Sequence, residues 1–166
     1  RVFCMLPSRA INSRLLTDCG RDKSSVYGAA VHLVLHCSVN AQLDIHVWTS
    51  EDEHIYYSNS TSADQGVVLT SPSKEDGASV LSMLPRRGVG YKVWAYAYSS
   101  CTDIFSVGAV AELYVSHKVG DVIETRDVEL RLPSRHVVRQ PRFWEIFSVD
   151  TEGRISVANK AQHTGI

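Results

Sequence analysis

Seven histidines and eighteen acidic residues supply most of the side chains in this chain that could hold a metal or move a proton. His32 and His36 sit four apart in Val31-His32-Leu33-Val34-Leu35-His36-Cys37. Asp44 and His46 sit two apart in Leu43-Asp44-Ile45-His46-Val47-Trp48. Both spacings put the members of a pair on one side of a β-strand. If the two strands were neighbours, two or three imidazoles and a carboxylate would converge, a donor set suited to zinc or copper. Within one strand the spacing fails, because positions four apart are about 13 Å apart on a pleat. The plainer reading is the polar side of a half-exposed sheet, and it assigns no metal ligand.

The acidic residues lead to the same place. Glu51-Asp52-Glu53 falls in a turn between strands, and Asp64 lies close to Gly66. Calcium needs several oxygens converging from loops. Three consecutive acids cannot all point inward, and no D-x-D-x-D pattern is present, so a solvated turn is expected. Gly-x-Ser-x-Gly, the P-loop and G-x-G-x-x-G are absent, and Arg87-Gly88-Val89-Gly90-Tyr91 reads as a turn before a strand. No catalytic, cofactor-binding or metal residue is assigned, and the expectation is a protein that is not an enzyme.

Cys4, Cys19, Cys37 and Cys101 contain no C-x-x-C pair. Four cysteines allow two disulfides in three connectivities, and Cys37 reads equally well as a buried thiol. Asn59-Ser60-Thr61 is an N-glycosylation sequon. The sequon and the even cysteine count lean towards a secreted or cell-surface protein, with an organellar complex as the other setting.

Aromatic residues carry more information. In Tyr91-Lys92-Val93-Trp94-Ala95-Tyr96-Ala97-Tyr98, one side holds Tyr91, Val93, Ala95 and Ala97, and the other holds Trp94, Tyr96 and Tyr98. Trp48 likewise falls on the side opposite the aliphatic residues of its own strand. Trp48, Trp94, Tyr96 and Tyr98 are therefore the candidate binding surface, since flat rings bury area at low entropic cost. The opposite assignment is also open: the aromatic side is the core and the alanine side packs closely on something else.

Positioning these residues requires strands, and the chain is full of them. Period-two segments recur at 31–37, 43–47, 55–57, 67–69, 79–81, 91–98, 109–115, 128–132, 143–149 and 154–157, separated by Gly, Pro, Ser and Asp. Asp150-Thr151-Glu152-Gly153 joins the last two as a hairpin turn. About nine or ten strands at this spacing predict an all-β antiparallel β-sandwich. It would span residues 29–160, behind an irregular N-terminal extension over 1–28. Ala10 to Asp18 is the best helical segment, with Ser8 as a cap. A chain of 166 residues can bury such a core unaided, and 17 Lys+Arg against 18 Asp+Glu lacks the positive excess of a nucleic-acid binder. No apolar run reaches the roughly 18–20 residues of a membrane span.

Leu43-Asp44-Ile45-His46-Val47-Trp48, followed by Glu53-His54-Ile55-Tyr56-Tyr57-Ser58-Asn59, resembles the bacterial YfaP-type domain, a β-sandwich of poorly defined function. The resemblance continues through Gly66, Gly90-Tyr91-Lys92-Val93 and the terminal Phe143-Trp144-Glu145-Ile146 with Val149-Asp150 and Gly153-Arg154-Ile155, covering about residues 31–158. The chain departs from the family at its acids. Gln42 stands at the family's first Asp, Thr49-Ser50-Glu51-Asp52 replaces its D-P-D-G turn, and Asp44 alone survives cleanly. A lesser resemblance is to the GOLD-like lumenal domain of p24 cargo receptors, which continue into a coiled coil and a membrane helix where this chain adds strands. A framework kept while its polar site is lost implies a structural or protein-protein interaction role, such as an accessory subunit of an assembly. Carbohydrate or calcium binding is the alternative, and no cofactor is expected.

Overall fold

The computed structural model describes residues 26–36, 43–70, 78–97, 108–119, 122–131 and 142–162. Ten antiparallel strands form two packed five-stranded sheets, a β-sandwich. They are β1 (Ala30–His36), β2 (Leu43–Thr49), β3 (His54–Ile55), β4 (Val67–Thr70), β5 (Ala78–Met83), β6 (Tyr91–Ala97), β7 (Val110–Val119), β8 (Val122–Arg131), β9 (Phe143–Val149) and β10 (Ile155–Gln162). The first sheet runs β4-β5-β1-β7-β8 and the second β10-β9-β6-β2-β3. The described residues contain no helix, and so none long and apolar enough to cross a membrane.

Alternation builds the core. On β1 the chain buries Val31, Leu33 and Leu35 completely while His32 and His36 turn outward. Leu33 lies between Leu81 of β5 and Leu113 of β7 in register. From the second sheet come Ile45, Val47, Val93, Ala95, Trp144, Ile146 and Phe147. Val26, which the sequence reading placed in the N-terminal extension, is also in this core, and its N–H donates to the Gly153 carbonyl at 2.7 Å. Among the described residues the packed unit thus extends at least to Val26.

The β9–β10 turn forms as its residues suggest. Asp150 Oδ1 accepts from the backbone N–H of Glu152 at 3.0 Å and of Arg154 at 2.8 Å, while Gly153 takes φ +80°. Those donors, the Arg154 backbone first, hold the Asp150 carboxyl below its usual value. One strand is longer than its pattern: β8 begins at Val122, six residues before the alternation starts at Val128. The β7–β8 hairpin runs on past Ser116, the last β7 residue paired with β1, so alternation there has no core to report on.

Two alternatives that the spacing leaves open are decided by this topology. β1 and β2 are in different sheets, so His32 and His36 do not meet His46 and Asp44, and the metal constellation that needed those strands to be neighbours does not form. The small-residue side of β6 is the core side, and the aromatic side faces outward. Cys4, Cys19, Cys37, Cys101, Tyr98 and the segment from Ala10 to Asp18 lie outside the described residues.

A candidate functional site on the outer face of the second sheet

Cross-strand register assembles the site. Trp48 pairs with His54 across β2 and β3, His46 with Trp94 and Asp44 with Tyr96 across β2 and β6, and Tyr96 with Phe143 across β6 and β9. Directly opposed side chains in an antiparallel pair stand about 5 Å apart, close enough for rings to touch. The Trp48 and His54 rings stack at 4.0 Å with 5° between planes, and His54 stacks on Tyr56 at 4.5 Å. His46 lies against His54 at 5.1 Å and meets Tyr96 edge-on at 5.7 Å, and Tyr96 stacks on Phe143 at 4.7 Å. The result is one continuous row of rings across four elements.

A hydrogen bond sits in that row. His46 Nδ1 and His54 Nε2 are 2.9 Å apart. Burial pushes the His46 imidazole down to about 4, with the nearby His54 charge as the second cause. Burial also lowers His54 and raises Asp44. Three perturbed titratable groups on one sheet face mark this as the electrostatically unusual part of the surface.

The candidate residues fare differently. Trp48 and Tyr96 are half-buried members of the row. Trp94 is on this face but only 5% exposed, so it packs beneath the surface, edge-on to Phe143 at 6.4 Å, and offers little contact area. Its Nε1 is buried and has no hydrogen-bond partner among the described residues. A buried orphan donor costs about 1–3 kcal/mol. Trp94→Phe removes that donor along with some packed volume, so the two effects oppose. Chemical denaturation should place the variant within about 1 kcal/mol of the parent.

Sequence reasoning missed His54. It falls just after Glu51-Asp52-Glu53, in a strand of two residues too short to show a period. The available signal was the turn itself, since folding back after Thr49 must lay His54 over Trp48. Asn59 is exposed at the end of this hairpin, and its Nδ2 donates to the His54 carbonyl at 2.9 Å.

The acids considered for calcium are engaged by protein groups. Arg86 forms ion pairs with Glu51 and, at 3.6 Å, with Asp64. Asp64 Oδ1 accepts from Ser62 Oγ at 2.6 Å and Gly66 N–H at 2.9 Å, which together hold its carboxyl low. Glu53 Oε1 accepts from the Ala63 N–H at 2.7 Å. A guanidinium therefore stands between two of the carboxylates a cation would need. Among the described residues no group of three or more His, Cys, Asp or Glu side chains is placed to hold a metal. A cleft beside Asp44, lined by Ile45, Tyr57, Leu69, Thr70, Ser79 and Val80, offers a volume of about 10 Å³, room for about one water and far below the roughly 300–1,000 Å³ of a ligand pocket.

No family model matches the chain, and searches of curated proteins and of solved structures find no match. The YfaP-type and GOLD-like resemblances rest on the sequence motifs alone.

Proposed function

We propose that this β-sandwich is a non-catalytic interaction module that docks a protein partner on the outer face of the second sheet, as an accessory or structural subunit. The observation that carries the reading is the ring row itself: Trp48, His46, His54, Tyr56, Tyr96 and Phe143 in mutual contact yet each only half-buried. Half-buried aromatic clusters are the material of interface hot spots.

Ring orientation favours protein over carbohydrate. A pyranose needs an open ring face. Here Trp48 and Tyr56 each turn a face to His54, at 4.0 and 4.5 Å, so His54 is covered on both sides. Ring edges carry partial positive charge and suit the carbonyl and carboxylate oxygens of a protein surface. The YfaP-type resemblance, with its acids lost, adds support from sequence.

The test compares the parent with Tyr56→Lys, which changes the half-buried outer row and leaves the core intact. The folded parent should retain a stoichiometric protein from its native source, and the variant should bind that protein about 10–100-fold more weakly with an unchanged melting temperature. Equal binding by both proteins would overturn the reading. So would a glycan-array signal that Tyr56→Lys abolishes.

A further inference from the structure

We infer that the hydrogen-bonded His46–His54 pair is a proton-operated catch for this face, in which a first added proton keeps the pair joined and a second parts it and opens the ring row. The consequence for a partner rests on the docking role proposed above, whereas the proton chemistry belongs to the pair.

A neutral imidazole has one N–H donor and one acceptor nitrogen. At 2.9 Å, one of His46 Nδ1 and His54 Nε2 donates and the other accepts. The donor ring's far nitrogen still has its lone pair, so the first proton can add there. The donor becomes an imidazolium, and its bond to the neutral partner becomes charge-assisted and stronger. The second ring already carries a proton on its far nitrogen. Its second proton must enter the shared contact, where both nitrogens would then be N–H donors. The bond is lost, and two like charges face each other in rings 5.1 Å apart.

The surroundings set the order. His54 is the less buried ring and lies between Trp48 and Tyr56, whose faces favour a cation. His46 is deeper and is pushed down to about 4 by burial and then by the charge on His54, so it takes the second proton. Other groups face the pair. Asp44 shares the outer side of β2, Trp94 and Tyr96 stand on β6 with Lys92 opposite Trp48, Glu145 on β9 lies opposite Trp94, and Tyr56 closes the far side.

The experiment is an NMR titration of the free protein from pH 7.5 to 3.5, following both imidazoles and the Trp48 indole N–H, in the parent and in His46→Phe. The parent should titrate in two separate steps, with the Trp48 signal moving mainly in the second. In His46→Phe the second step should vanish, and the His54 step should fall to lower pH because its charge-assisted bond is gone. A single step with both imidazoles near their ordinary value overturns the inference, as does a His54 titration that ignores the loss of His46. Because the titration is read on the free protein, it decides the catch whatever partner capture shows about docking.

Discussion

Replacing Trp144 with alanine should destabilise the fold by about 3–5 kcal/mol, the largest single effect expected in the molecule. Trp144 is completely buried on β9. In register it lies between Ala95 of β6 and Ala161 of β10, two small residues that leave room for the indole. Its Nε1 donates to Asn159 Oδ1 at 2.9 Å. Alanine removes the most voluminous fully buried side chain, and alanine neighbours cannot extend to fill the space. Against a typical total of about 5–15 kcal/mol, such a loss should bring the urea midpoint close to zero. Trp144→Phe separates the causes, since it keeps most of the volume and forfeits the bond to Asn159, for about 1–2 kcal/mol. A urea midpoint for Trp144→Ala near that of the parent would mean that the two sheets do not pack around this indole.

Acid should weaken the fold before any buried carboxylate is involved. The ordinary histidine value is about 6.5, and His46 is pushed down to about 4 in the folded state. Between those values the unfolded chain binds more protons than the folded one, so stability rises with pH across that window. The contribution is complete above about pH 6.5 and is lost as the pH falls to about 4. His54, also lowered, adds a loss of the same sign. Solvent screens this half-buried site, so the change from His46 should be about 1–2 kcal/mol. Asp44 works in the opposite sense: its raised value lets the folded state take up a proton more readily, which offsets part of the loss at the acid end. Urea unfolding at pH 7 and pH 4.5 measures the effect. His46→Phe keeps a ring in the row and should remove most of the difference. An unchanged pH dependence in that variant would show that the linkage lies elsewhere.

Much of this architecture is legible in the residues because a sheet with one buried side writes a period of two into its sequence. Val31, Leu33 and Leu35 announce β1, and Val93, Ala95 and Ala97 announce β6. Periodicity does not say which side of a strand meets the core when both are apolar. On β6 the tryptophan side looked at least as suitable as the alanine side. The alanines face inward because Trp144 and Phe147 of β9 already fill that space from the next strand. Which strands share a sheet was also hidden, since β1 and β2 are consecutive and lie in opposite sheets. The same limit hid the histidine pair. Strand spacing offers His32 and His36 as companions for His46, whereas its partner sits eight residues ahead in a strand with no period to read.

Asn159 has a meaning for the whole particle as well as for its neighbour. It takes φ +44° where β10 slips register against β9 between Val157 and Lys160. β10 is the last strand of its sheet, and unlike β8, with exposed Arg126, Asp127, Glu129 and Arg131, it carries little charge to discourage a visiting strand. The bulge does that work instead, because a bent edge offers no continuous ladder to copy. The indole of Trp144 holds the bulge from inside the core. One hydrogen bond thereby ties the packing of the interior to the solubility of the rim, and a chain that loses its grip on that indole also gains an edge on which a polymer can grow.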